Sequence, residues 1–257
     1  RQSLDSVGAF LGPLFAVGFM LWLANDIKVV LRLGVVPAFI AVILLVVAVD
    51  EPENVTQSTT KKNFFTLADA RHLPKLYWFI VVLGAVFTLS RFSEAFLILR
   101  AQYLGLAIGY VPLIMIVTNI VYALFAYPAS AAADRLPART FLVLGLVVLV
   151  AADAVLALAG SPWIAILGAG LWGLHMALTQ GLLSKLVADT APAELRGTAF
   201  GVFNLVSGVA LLLASIIAGW MWSMFGPSAT FIVEALFAAL AAAGLLLYHS
   251  ELHPVRE

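Results

Sequence analysis

The sequence predicts an all-α, multi-spanning membrane protein with eight transmembrane helices. Composition is the first observation behind this. Of the 257 residues 63% are hydrophobic and 11% charged, whereas a soluble domain is roughly 45–50% apolar and about 25% charged. The mean hydropathy of +1.06 agrees. The second observation is length: eight apolar windows reach the roughly 20 residues that a helix needs to cross a hydrocarbon core about 30 Å thick. The third is periodicity. None of the windows alternates with period two, which excludes a barrel, and an open strand would leave its backbone unsatisfied in lipid.

The spans run Val7–Leu23, Val29–Val49, Leu73–Leu97, Tyr110–Ser130, Arg139–Ala159, Pro162–Ala188, Arg196–Trp222 and Pro227–Tyr248. Their connections are short except for residues 50–72, where Glu51, Pro52, Glu53, Ser58, Thr59, Thr60, Lys61 and Lys62 gather. This stretch divides the chain into residues 1–49, a linker at 50–72, and six spans over 73–257. In its second part Phe64, Phe65, Leu67 and Ala68 oppose Lys61, Lys62, Asp69 and Arg71, a pattern for a short amphipathic helix in the membrane interface.

Charge sets the expected orientation. Cytoplasmic loops retain Lys and Arg. With the linker inside, Lys61, Lys62, Arg71, Lys75, Arg135, Arg139, Lys185, Arg196 and Arg256 share that side, against Lys28, Arg32 and Arg100 outside. The linker and the C-terminus are therefore expected in the cytoplasm, and the protein in the cell (inner or plasma) membrane. Fourteen basic residues balance fourteen acidic ones, so no net charge draws the chain to nucleic acid. Cysteine is absent, which removes disulfides, thiolate metal sites and a thiol nucleophile. No cofactor or metal is expected.

A weak internal repeat at an offset of 202 pairs Gln2 with Asn204, Val7 with Val209, Leu11 with Leu213 and Ala16 with Ala218. The first two spans then copy the last two. The chain, which opens on Arg1 without a leader pattern, is expected to be cut from a longer protein lacking here four helices of a first six-helix half. The same alignment sets Asp5 deep in the membrane. Two six-helix halves joined by a cytoplasmic linker are the layout of many secondary transporters.

Three motifs carry a family resemblance. The loop Ala133-Asp134-Arg135-Leu136-Pro137-Ala138-Arg139 resembles the G-x-L-A-D-R-x-G-R-K loop of the major facilitator superfamily. The segment Pro192-Ala193-Glu194-Leu195-Arg196-Gly197-Thr198-Ala199-Phe200-Gly201 is similar to that family's P-x-E-x-R-G-x-A-F-G helix start. Gly8-Ala9-Phe10-Leu11-Gly12-Pro13 resembles the G-x-x-x-G-P core found in proton-coupled drug antiporters. The resemblance implies a 12-helix (6+6) fold, alternating access, and a small-molecule substrate moved with protons, with drug-type efflux as one form. It also implies that Asp134, Arg135, Arg139 and Arg196 form a cytoplasmic gate. Physically, ion pairs at helix ends can latch one conformation and release another, or such residues can be plain loop charges. Gly8 and Gly12 permit close helix packing and Pro13 kinks the helix.

Ionisable groups inside the spans are the candidate pathway, since each costs about 2.5–3.5 kcal/mol on insertion scales. Arg91 and Glu94 lie three apart in the third span, where one helix face would bring them together. They are read either as a local neutralising pair or as a cavity site, Arg91 binding an anionic group and Glu94 a proton. His175 and Asn119 sit near the middle of their spans, while Asp153 and Glu234 each sit about four residues to the outside of the centre of theirs, where either could titrate in the pathway. Asp153 is expected at the outer water boundary. Asp5 pairs with Arg1 or serves as a further proton site. Trp163, Trp220 and Trp222 are expected as interfacial anchors, and Trp172 as cavity lining or packing.

A membrane-embedded enzyme would need an H-E-x-x-H zinc pair, a G-x-S-x-G elbow or a carboxylate dyad, and no such motif appears in the sequence. A channel would want charged rings or a filter loop. A non-transporting sensor or scaffold remains the other alternative.

Overall fold

The computed structural model describes residues 12, 14–16, 18–23, 26–48, 72–133 and 136–247. Among them all regular structure is helical. Residues 14–16 and 18–22 are helical and lead to α1 (Ile27–Ala48). Asp26 starts α1, its Oδ1 accepting the backbone N–H groups of Lys28 at 3.0 Å and Val29 at 3.4 Å. Those are first-turn donors with no partner inside the helix. From Leu31 to Leu44 every side chain of α1 is exposed.

The rest of the chain forms α2 (Lys75–Leu89), α3 (Ala95–Tyr103), α4 (Pro112–Ala133), α5 (Ala138–Leu158), α6 (Pro162–Thr190), α7 (Arg196–Phe225) and α8 (Pro227–Leu247). Short 3₁₀ turns at Ile108–Tyr110 and Ala193–Leu195 lead into α4 and α7. Helices α4 to α8 are long and apolar enough to cross a membrane, while α2 is a shorter apolar helix.

One expected span is not a single helix. Instead of running unbroken over Leu73–Leu97, the third span stops after Leu89 and resumes at Ala95 as α3, which ends at Tyr103 before Gly105 turns the chain at φ 95°. The periodicity of the flanks is helical on both sides, so hydrophobic pattern alone gives no sign of the interruption.

Packing is organised around α6. It lies against α4 on one side and α5 on the other; α5 also packs on α8, and α7 on α2 and α8. Leu142, Leu146, Leu149, Ala152 and Leu156 of α5 meet Ala165, Ala169 and Trp172 of α6 and Phe231 and Ala238 of α8 in one core. In lipid, where no hydrophobic effect drives helices together, such contacts depend on close approach through small residues. A Cβ on Gly173 would collide with the Thr118 carbonyl oxygen, so α4 and α6 touch backbone to backbone there. Thr118 uses the approach to share its hydroxyl between its own helix, at the Ile114 carbonyl (2.9 Å), and the Ala169 carbonyl of α6 (3.2 Å).

Arg100 ties one end of the bundle. Buried at the last turn of α3, it donates through Nε to the Leu156 carbonyl at 2.9 Å, and through Nη2 to those of Ala157 and Ala159 at 3.1 Å and to Ser228 Oγ at 3.2 Å. These are the end carbonyls of α5, beyond the reach of its regular helical bonds; that of Leu156 also takes the Ala159 N–H and that of Ala157 the Ser228 hydroxyl. A buried cation at a helix C-terminus also meets the negative end of its dipole.

Candidate functional site

The site begins where the third span breaks. Thr88 Oγ1 donates to the Gly84 carbonyl and Ser90 Oγ to that of Phe87, each at 2.8 Å. Side chains that bond back to the helix in this way compete with its continuation, and four of the five residues 90–94 are polar: Ser90, Arg91, Ser93 and Glu94. The interruption frees the Phe92 N–H. It donates instead to Glu234 Oε1 of α8 at 2.7 Å. Broken membrane helices are tolerated where freed backbone groups find such partners.

Glu234 is 2% exposed, and Asp153, on the adjoining α5, is 0% exposed. Neither carboxylate oxygen of Asp153 has a hydrogen-bond partner. The two acids interact electrostatically. Arg91, mostly buried beside the break, feels both Glu234 and Glu94, and its guanidinium lies 5.7 Å from the centre of the Trp172 ring. A cation over an aromatic face is held by the ring quadrupole, more strongly out of water. One positive and two acidic groups thus converge where α5, α6, α8 and the α2–α3 break meet.

His175 sits beneath this group, 0% exposed. Its Nδ1 is 2.8 Å from the Gly145 carbonyl oxygen; since a carbonyl only accepts, Nδ1 carries the shared hydrogen. The ring stacks on Phe87, with centroids 5.6 Å apart, and Nε2 has no partner. This contact fixes α5 to α6.

Two hollows flank the site. One of about 220 Å³ is lined by Arg91 and Thr88, by Thr179, Gln180 and Ser184 of α6, and by Phe203 and Ser207 of α7. Its wall is mostly apolar, with Phe87, Leu183 and Leu211 beside one cation and several hydroxyl and amide groups, the mixed lining usual for a small-molecule site. The other, about 120 Å³, lies between α4 and α6 and includes Tyr122, Ser130, Met176 and Lys185.

The remaining expected residues fall as follows. Glu94 is exposed and stands at the start of α3; the helix is interrupted between it and Arg91, yet the two charges still interact across the break. Asn119 is half-buried on α4 and engaged with neighbours. Arg139 donates to the Leu245 and Leu246 carbonyls, capping the C-terminal end of α8. Arg196 is exposed at the first position of α7. Gly12 is described, with no neighbour within 4 Å of an added Cβ. Asp5, Gly8, Pro13, Asp134, Arg135 and the linker up to Arg71 lie outside the described residues.

Of the tryptophans, Trp163 and Trp220 are exposed, Trp222 packs on Phe96, and Trp172 is buried under Arg91. Asp153 is the main correction. It lies not at a water boundary but wholly inside the bundle. The available signal was its flanks, Val150-Ala151-Ala152 and Ala154-Val155, as apolar as those of Glu234.

Fold and site together define an α-helical, multi-spanning membrane protein with buried ionisable groups beside a hollow. The profile of the Major Facilitator Superfamily matches residues 87–257, and the chain belongs to that family, one of transporters and not of enzymes. It is 30% identical over 253 residues to an uncharacterized MFS-type transporter of Methanocaldococcus jannaschii, covering 96% of this chain and 62% of that protein. An uncharacterized protein of Mycobacterium tuberculosis is 24% identical over 240 residues, 92% of this chain and 58% of the relative. The chain therefore spans about three-fifths of the length of these relatives. Among solved structures, an auto-inhibited POT family peptide transporter shares the fold at a TM-score of 0.54 and 19% identity, over 72% of this chain and 39% of that one.

Proposed function

We propose that the full-length protein carrying this chain is a proton-coupled secondary transporter that moves a small solute across the cell membrane by alternating access. One observation carries the reading: Arg91, at the break in the third span, lines the 220 Å³ hollow, while buried Glu234 holds the backbone of the neighbouring residue. A solute at the hollow and a proton at the acids would thereby act on the same few residues. Ligands coupled through one shared element drive each other's binding.

In this reading residues 1–49 supply the last two helices of an N-terminal bundle, 50–72 the cytoplasmic linker, and 73–257 the second bundle, with the C-terminus in the cytoplasm. The exposed apolar surface of α1 suits contact with lipid and with further helices of that bundle. Asp134, Arg135 and Arg196 would work at the cytoplasmic gate. Drug-type efflux by antiport rests on the Gly8–Pro13 resemblance.

The test uses the full-length protein in vesicles loaded with a pH-sensitive dye. Amino acids, dipeptides, monocarboxylates and lipophilic cations are added in turn. A solute that moves protons inward with itself marks symport, and one that exchanges against them marks antiport; both support coupling. Glu234→Gln should abolish the dye response while solute binding persists. Solute movement indifferent to a pH gradient would remove proton coupling.

A further inference from the structure

We propose that the hollow beside the break takes a small organic monoanion with an apolar body, of the carboxylate or sulfonate kind, its charge held by Arg91 and one of its oxygens by Ser207. This names a substrate class for the transport reading, and its role in transport rests on that reading. The observation that carries it is an anomaly at Ser207. Elsewhere on these helices hydroxyl side chains return to the carbonyl four residues earlier: Thr88 to Gly84, Thr179 to His175 and Ser223 to Gly219. Ser207 lines the hollow but makes no such bond, and its Oγ is buried with no partner in the protein. A buried hydroxyl left unsatisfied is costly, so each one asks for a role. A turn about χ1 brings this one to an oxygen held in the hollow.

The rest of the wall sets the class. Because the hydroxyls of Thr88 and Thr179 are spent on their own helices, the polar groups left for a solute are Arg91, Ser207, Gln180 and Ser184. The Arg91 guanidinium can only donate, and the Trp172 ring 5.7 Å away steadies it. Among the described residues no Asp or Glu lines the hollow; the charges of Glu94 and Glu234 reach Arg91, but neither residue is part of the wall. A cationic solute would find no counter-ion there and would face a like charge. An oxyanion would meet a planar fork of charged donors. The remainder is apolar, with Phe87, Leu183, Phe203 and Leu211, so an inorganic ion would lose its water to surfaces that cannot replace it, whereas a hydrocarbon body would be buried favourably. A volume of about 220 Å³ has room for about seven waters at ~30 Å³ each, the scale of benzoate or hexanoate.

Equilibrium binding of radiolabelled benzoate to the purified full-length protein in nanodiscs tests this without any transport. Hexanoate and benzenesulfonate serve as further anions, and benzamide and benzylammonium as the neutral and cationic counterparts of benzoate. Benzoate should bind at least about tenfold more tightly than either counterpart, both other anions should compete with it, and bound benzoate should protect Ser184→Cys from a water-soluble maleimide. Arg91→Met should lose benzoate, while Arg91→Lys, which keeps the charge and guards against misfolding, should retain part of the binding. Ser207→Ala should weaken benzoate about threefold to tenfold without lowering the melting temperature, since no bond inside the protein goes with the hydroxyl. Binding of benzamide or benzylammonium as tight as that of benzoate, no binding by any anion of the series, binding indifferent to Arg91→Met, or binding that leaves Ser184→Cys unprotected overturns the assignment. Unchanged benzoate affinity in Ser207→Ala, or a lower melting temperature, overturns the role of Ser207. Benzoate that binds as expected but is not moved in the vesicle assay would sink the transport reading and leave the site standing.

Discussion

Phe92 and Glu234 are 142 residues apart in sequence and joined by one hydrogen bond of 2.7 Å, from a main-chain N–H in a broken helix to a buried carboxylate on the last helix. The bond explains how the break survives in a membrane. An amide removed from its helix and left without an acceptor would cost about 1–3 kcal/mol, and Glu234 offsets that cost while being anchored by it. Glu234→Leu, which leaves the Phe92 N–H without this partner, should destabilise the protein by about 2–4 kcal/mol. Thermal denaturation in detergent, together with faster amide exchange confined to residues 90–94, is the measurement.

Water access should follow the hollow. Gln180→Cys and Ser184→Cys, whose exposed positions line it, should react with a water-soluble maleimide in membranes. Ala152→Cys and Ala169→Cys, both 0% exposed, should not. Equal labelling of the two sets would mean that the hollow is not the water-facing side of the bundle.

Arg100 should behave as a structural staple. Arg100→Met removes three donations to the carbonyls at the end of α5 and one to Ser228 Oγ, with an expected loss of about 2–4 kcal/mol. Arg100→Lys should recover little of it, since a single ammonium cannot reproduce a planar fork of donors. Melting temperatures of the two variants decide.

The closest helix contact gives a sharp pair of substitutions. Gly173→Ala forces a methyl against the Thr118 carbonyl of α4, a backbone obstacle that can yield only by parting two helices, at about 1–3 kcal/mol. Gly219→Ala meets nothing within 4 Å and should be neutral, or stabilising by up to about 1 kcal/mol through helix propensity. Comparing their thermal stability tests the packing directly.

Arg139 should hold the end of α8. Its donation to the Leu245 and Leu246 carbonyls is partly exposed, so Arg139→Ala should cost only about 1 kcal/mol. Faster amide exchange over residues 241–247, with the rest of the protein unchanged, is the expected signature.

Much of the fold was legible because the bilayer imposes length. The spans expected at Pro162–Ala188, Arg196–Trp222 and Pro227–Tyr248 correspond to helices Pro162–Thr190, Arg196–Phe225 and Pro227–Leu247. Twenty apolar residues with no water to bond their backbone have one outcome. The interruption at 90–94 was not legible in the same way. It contains neither Pro nor Gly, and its main signal is a dense polar run that a helix-face argument reads as the pairing of Arg91 with Glu94. Asp153 was misplaced for a related reason: distance from the span centre says nothing of what stands on the facing helix.

The amino-acid order alone determined that this chain lives in lipid, how many times it crosses, and which ionisable residues are too costly to be there by accident. Those are consequences of local composition and of a slab of fixed thickness. Only the tertiary structure decided that Asp153 is fully buried, that Glu234 holds Phe92, and that Arg91 turns toward Trp172 and lines a hollow. Hydrocarbon exerts no preference among apolar helix faces, so which of them meet is settled by small-residue contacts and buried hydrogen bonds between segments far apart in the chain.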